Sequence, residues 1–380
     1  MKTKKLIVGI TFPGSVGLLE GQLRYFKQLG YDTYLMSPKA ERSVNYCERE
    51  GCKLLEINME RDISLLKDLR SLFGVIKILR KVKPDVVNFG TPKMGLLGML
   101  GAKICGVKRR IYTCRGFRYE HETGIKKRVL KRMEWIAGLC AHKIICISPS
   151  VKDLGVKDGV FKQKKCVVIN KGSSNGIDIA KFDQKKVSIA DREALKTKLG
   201  LEDHHFVYGF LGRLIDRKGI SELYQAFCHV YKKDARTRLF IVGLFDFTQI
   251  ANKTIAEKIK THEGIIWPGR TDEVPLYLSI MDVFVLPAWW EGFGNVLVQA
   301  AAMGIPVIGT HGTGTCDAVS NGFNGILVDV KNVDQLAQAM LDLKDNADQR
   351  TLMGKNGMEW AKHFNSKIIW DGMHELFQGK

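Results

Sequence analysis

No apolar run in this chain of 380 residues approaches the length of a membrane span. The most apolar stretch, MGLLGMLGA at 94–102, stops at Lys103, whereas a spanning helix needs about 20 apolar residues. The start, MKTKKLIVGITFPGSVG, has too short an apolar run before Pro13, and no small-residue cleavage site, for a secretory signal. Paired cysteines are lacking too. The nine thiols, at 47, 52, 105, 114, 140, 146, 166, 228 and 316, are odd in number and form no CxxC pair or Cys/His spacing. That argues against zinc and disulfides and for reduced core thiols in a cytoplasmic protein. No DxD pair follows a strand, since Asp246 in VGLFDFT stands alone, and no metal or cofactor is expected. Gly14, Gly17 and Gly21 miss the G-x-G-x-x-G spacing, and the acidic residue about 20 positions later is only Glu41, so a nicotinamide enzyme has little support.

Acidic residues are scarce in one half only. Residues 1–180 hold 35 Lys and Arg against 16 Asp and Glu, and the remaining 200 residues hold 24 against 24. The whole net charge of +19 therefore lies in the first half, which points to an anionic partner surface there. The charge concentrates in FGVIKILRKVK (73–83), GAKICGVKRR (101–110) and GIKKRVLKRMEWIAGLCAHK (124–143). In the last, Val129, Leu130, Met133, Ile136, Ala137 and Cys140 make one helical stripe, with Lys127, Arg128, Lys131 and Arg132 off it. Nucleic acid is not the expected partner, because no RGG, zinc or basic–aromatic module accompanies the charge. An anionic cytoplasmic membrane leaflet fits better, each nearby Lys or Arg contributing about 1 kcal/mol.

The 45% hydrophobic and 26% charged content is that of a globular protein, and the length suggests two or three domains at about 150 residues each. Short apolar, β-branched runs alternate with helix-length segments. Candidate strands in the first half are 5–11, 32–37, 85–90, 109–114, 143–148 and 165–170. Residues 183–204 read as a polar connector, and the pattern restarts at 206–212, 238–243, 264–269, 282–287, 306–310 and 324–328. This is α/β grammar, with two Rossmann-like doubly wound domains facing a central cleft and ligands outside the carboxyl ends of the strands. The expected domains are 1–180, 181–365, and a C-terminal helical segment, 366–380, able to cross back to the first.

The strand ends of the second half carry the chemistry. After FVYGFLG come Gly212 and Arg213, then LIDRKG with Lys218 and Gly219 opening a helix. Two cations, a glycine and a helix N-terminus suit a diphosphate, although solvated loop cations are the plainer alternative. Arg270, after GIIWPG, opens a loop able to line a base pocket. Glu291 precedes a helix whose first turn includes Gly294 and Asn295. A carboxylate acceptor beside the amide donors of 293–296 would grip a polyhydroxy compound, and an N-terminal cap is the structural alternative.

In their order, GFLGRLIDRKG, VFVLPAWWEGFGNVLVQAAAMGIPVIGT and GTGTCDAVSNGFNGILV resemble the retaining nucleotide-sugar glycosyltransferases of family four, with the GT-B fold. VVINKGSSNGIDIAKF (167–182) is similar to their interdomain signature at Asn175, Gly176, Ile177, Asp178 and Phe182. The resemblance implies that Arg213 and Lys218 bind the donor diphosphate and that Glu291 contacts the donor sugar. It gives the amides of Phe293, Gly294, Asn295 and Val296 to sugar and phosphate, Gln299 to the ribose, and the Gly14/Gly17 loop to covering the diphosphate. Two positions depart from the pattern. The family commonly has Glu at 299, and the amide forgoes one charge-assisted hydrogen bond of roughly 1–2 kcal/mol. Arg115, in YTCRGFRYE, fills a place where many relatives have a histidine, and with Arg118 it is a candidate for an acceptor or phosphate contact.

The resemblance implies metal-independent, front-side transfer of a hexose or N-acetylhexosamine from a UDP-sugar, with retention. The acceptor would be a lipid-diphosphate-linked glycan in surface polysaccharide biosynthesis, on the inner face of the cell membrane. A GT-B-type UDP-sugar 2-epimerase and a non-catalytic sugar-nucleotide-binding partner are the alternatives.

Overall fold

The computed structural model describes residues 3–60 and 64–379. The chain divides into two compact units, Met1–Gly176 with Ser366–Lys380, and Ile177–Asn365. The division falls inside the NGID segment, a few residues before the boundary drawn from sequence.

The first unit is built on seven parallel strands: β1 (Lys5–Gly9), β2 (Asp32–Ser37), β3 (Lys53–Glu56), β4 (Val86–Gly90), β5 (Arg109–Cys114), β6 (Lys143–Cys146) and β7 (Cys166–Val167). They lie in the order β3-β2-β1-β4-β5-β6-β7. Side chains alternate across such a sheet, and both faces are covered here. Leu6 and Val8 enter one apolar cluster with Leu23 and Phe26, while Ile7 enters another with Val87 and Phe89. Each fully buried side chain of this kind contributes about 1.5–3 kcal/mol. The sequence reading passes over β3, an edge strand of four residues with exposed charged ends that carries little apolar signal.

The apolar stretch at 94–102 lies in the core helix Pro92–Ile104, with Met94, Leu97 and Met99 buried. Among the described residues no helix is long and apolar enough to cross a membrane. Helix Ser366–Gln378 belongs to the first unit, where Ile369, Met373 and Phe377 join the Leu6 cluster. Trp370 Nε1 donates to Asn175 Oδ1 at 2.7 Å.

Helix Gly124–Cys140 corrects one expectation. Val129 is 43% exposed, and the inward position one turn beyond Leu130 is taken by Glu134, which is buried and accepts from Tyr112 Oη at 2.6 Å. Hydrophobicity misassigns both, because a carboxyl group with a buried phenol partner reads in sequence as surface.

The second unit has six parallel strands, β8 (Phe206–Leu211), β9 (Thr237–Val242), β10 (Ile265–Gly269), β11 (Val283–Val285), β12 (Val307–Thr310) and β13 (Gly325–Val328). Their order is β10-β9-β8-β11-β12-β13. The order reverses between β8 and β11, the switch point at which open α/β sheets bind ligands.

Candidate functional site

Three turns at the carboxyl ends of β8, β11 and β12 lock together at that switch point. After β8, the short turn Asp216–Lys218 ends at Gly219, which has φ of 71° and opens helix Ile220–Lys233. A Cβ at Gly219 would collide with the Pro287 carbonyl oxygen, so only glycine lets this turn seat against the chain leaving β11. Trp289 N donates to Arg217 O at 2.8 Å, and Glu291 N donates to Thr313 O at 2.8 Å. Thr310 Oγ1, at the end of β12, donates to Ala288 O. Trp289 is held in turn by Nε1 donating to Glu222 Oε1 at 2.9 Å, with Lys331 Nζ 3.8 Å from its ring centroid.

These constraints deliver Glu291 to two cations. Lys218 Nζ is 2.9 Å from Glu291 Oε1 and Arg217 Nη1 is 3.2 Å from Oε2. The Glu291 side chain is 15% exposed. Burial pushes its carboxyl group up, yet Lys218 and Arg217 outweigh that and hold it below the ordinary glutamate value. Glu291 is therefore an ionised acceptor at neutral pH, and two cations against one carboxylate leave the cluster net positive. Gly212 belongs to the same arrangement, since a Cβ there would stand 2.9 Å from Lys218 Nζ. The Arg217 guanidinium also lies 4.7 Å from the Trp290 ring centroid.

Beside this cluster begins helix Asn295–Ala302, whose N-cap is Gly294. Among the described residues, the amides of Phe293, Gly294 and Val296 have no hydrogen-bond acceptor, whereas Asn295 N donates to Phe293 O at 2.9 Å. Three unfilled donors at a helix N-terminus make an anion-attracting edge. Phe293 anchors the turn, buried with its ring centroid 5.1 Å from that of Phe364. Gln299 is half-buried on the same helix, and its side chain has no hydrogen-bond partner among the described residues.

Other sequence candidates have different partners within their own units. Arg213 is 56% exposed and pairs with Asp246 at 3.4 Å rather than with Glu291. Arg270 follows β10, two strands from β8 and so roughly 10 Å away across the sheet, and pairs with Asp272 at 2.7 Å. Gly14 and Gly17 belong to the first unit, in a 3₁₀ turn at Pro13–Leu19 rather than an open loop. A Cβ at Gly14 would strike the Phe12 ring, while nothing lies within 4 Å of one at Gly17. Arg115 and Arg118, also in the first unit, follow β5, with Arg118 exposed and Arg115 mostly buried. Among the described residues, no three His, Cys, Asp or Glu side chains are grouped to hold a metal ion.

The sequence reading missed Arg217. The available signal was its place beside Lys218 in DRKG, in a turn tight enough to send both side chains to one carboxylate.

Comparison with known proteins meets this geometry. Residues 19–181 match Glycosyltransferase Family 4, and residues 191–360 match Glycosyl transferases group 1. The chain is 34% identical over 379 residues, 99% of its length, to the capsular polysaccharide biosynthesis glycosyltransferase CapM of Staphylococcus aureus, covering 97% of that protein. It is 29% identical over 300 residues to an Escherichia coli UDP-Gal:alpha-D-GlcNAc-diphosphoundecaprenol alpha-1,3-galactosyltransferase, covering 78% of this chain and 75% of that one. Among solved structures, Anabaena HepE in complex with UDP superposes with a TM-score of 0.82 at 17% identity, over 100% of both chains. A glycosyltransferase from Rickettsia africae gives 0.82 at 18% identity, over 100% of this chain and 98% of that one. With a family-four match over residues 19–181 and a full-length relative at 34% identity, the chain, built on two parallel α/β sheets, belongs to the family-four glycosyltransferases.

Proposed function

We propose that this glycosyltransferase moves a hexose or N-acetylhexosamine from a UDP-sugar to a lipid-diphosphate-linked glycan, with retention and without a metal ion. The observation that carries the reading is the Glu291 cluster: an ionised carboxylate, two cations and three unfilled amides at one switch point. The carboxylate accepts from sugar hydroxyls. Lys218, Arg217 and the amides take up the charge that grows on the departing diphosphate, an effect worth about 3–4 kcal/mol per well-placed donor. Because Glu291 is held ionised by its own cations, it is a poor proton donor, and the departing diphosphate takes the acceptor proton. The UDP complex of HepE and the diphosphoundecaprenol acceptor in the E. coli relative's name support the choice of substrates. Transfer of labelled sugar from a UDP-sugar panel to a prenyl-diphosphate-linked sugar, with EDTA present, tests this. Epimer formed from donor alone would favour the epimerase reading.

The acceptor's lipid places the enzyme on the inner face of an anionic membrane. Helix Leu65–Val82 supports this: Leu66, Leu69 and Phe73 are 82%, 47% and 68% exposed, and Arg70, Lys77 and Arg80 share their face. Apolar side chains mixed with basic ones suit the boundary between headgroups and acyl chains.

A further inference from the structure

Arg115 is a mostly buried cation whose own fold leaves one guanidinium nitrogen without a partner. It follows β5, where Gly116, at φ of 97°, turns the chain. The guanidinium folds over the end of β4 into space that exists because residue 90 is glycine, since a Cβ there would collide with Nη1. Nε donates to Ser174 Oγ at 2.9 Å, which fixes the plane of the group. Nη1 is buried and has no hydrogen-bond partner, and no carboxylate pairs with Arg115 among the described residues. The buried carboxyl group of Glu134 accepts from Tyr112.

Burial pulls the guanidinium down to about 10, so it keeps its charge at neutral pH. A buried charge without a counter-ion is costly, and an unfilled donor adds to that cost. A ligand oxyanion on the guanidinium would supply the missing counter-charge. The planar fork of a guanidinium matches phosphate oxygens, and the strand end is where such a sheet offers its ligand sites.

We propose that Arg115, clamped by Ser174 and admitted by Gly90, binds a phosphate oxyanion of the acceptor's lipid diphosphate. The assignment rests on the acceptor class proposed above. The same chemistry is present in the donor, so the test must separate the two sources. Calorimetric titration with farnesyl diphosphate, in the presence of saturating UDP, reads the acceptor arm, and titration with UDP alone reads the donor arm. Wild-type protein is expected to bind both. Arg115→Met is expected to weaken farnesyl diphosphate at least tenfold, with Arg115→Lys intermediate and UDP affinity unchanged within threefold. Its melting temperature should not fall, because an uncompensated charge has been removed. Ser174→Ala, which only frees Nε, is expected to weaken farnesyl diphosphate severalfold and keeps the test valid should Arg115→Met fail to fold.

Unchanged farnesyl diphosphate affinity in Arg115→Met or Ser174→Ala overturns the proposal. So does weakening of UDP in its place, which gives the residue to the donor, and so does a lowered melting temperature with equal losses for both ligands. If wild-type protein binds UDP but no farnesyl diphosphate, the Arg115 assignment falls alone. If it binds farnesyl diphosphate through Arg115 but no sugar nucleotide, the transferase reading falls and the Arg115 site stands.

Discussion

Lys218 and Glu291, 73 positions apart in sequence, meet as an ion pair at 2.9 Å where the strand order of the second unit reverses. Arg217 holds the other carboxylate oxygen at 3.2 Å, so the pair is a triad with one positive charge to spare. The donor chemistry proposed for this protein depends on that surplus.

Removing the carboxylate should damage both transfer and folding. Glu291→Gln leaves two partly buried cations facing an amide, at an expected cost of about 1–3 kcal/mol, discounted for their partial exposure. Urea melts of Glu291→Gln, Lys218→Met and the double variant should give a double variant more stable than the sum of the two singles implies.

The same pair sets a pH signature. The Glu291 carboxyl value is lower in the folded chain than in the unfolded one. Its contribution is therefore present above the ordinary glutamate range of about 4.3–4.5 and lost as pH falls through the lower folded value. The stability gap between wild type and Glu291→Gln should close on acidification, and a constant gap would mean that the pair does not hold in solution.

Glu134 should behave in the opposite sense. Burial raises its carboxyl group to about 7, against the opposing hydrogen bond from Tyr112. Between the ordinary value and 7 the folded chain keeps a proton that the unfolded chain has released, so this contribution to stability falls as pH rises through that window. Glu134→Gln, which can still accept from Tyr112, should flatten the dependence and melt higher than wild type at pH 8.

Arg217 and Arg213 separate geometry from sequence position. Arg217→Met should lower kcat/KM about a hundredfold, as loss of a well-placed donor does. Arg213→Met, which removes an exposed residue paired with Asp246, should cost about tenfold or less. The reverse order in steady-state kinetics would return the diphosphate to Arg213.

The contrast shows what sequence can carry. Both sheets were legible, because parallel strands buried on two faces read as apolar runs and each is followed by a helical pattern. Glu291 and Lys218 were legible through the order of the strand-end motifs. Arg217 was not, since which of three neighbouring basic residues meets a carboxylate is decided by the left-handed glycine at 219 and its seat against Pro287. Glu134 was hidden for a related reason, its partner Tyr112 lying on a strand 22 positions away.

Gln299 tests the ribose contact. Its side chain has no partner among the described residues, so Gln299→Glu should tighten UDP binding about threefold to tenfold by calorimetry. No change would place the ribose elsewhere.

The central claim, that the Glu291 cluster carries sugar transfer, is tested most directly by kcat/KM for label moved from a UDP-sugar to a prenyl-diphosphate-linked sugar, wild type against Glu291→Gln. The expected result is transfer by wild type and a fall of about a hundredfold or more in the variant, with UDP affinity within threefold. Transfer by Glu291→Gln at the wild-type rate would contradict it.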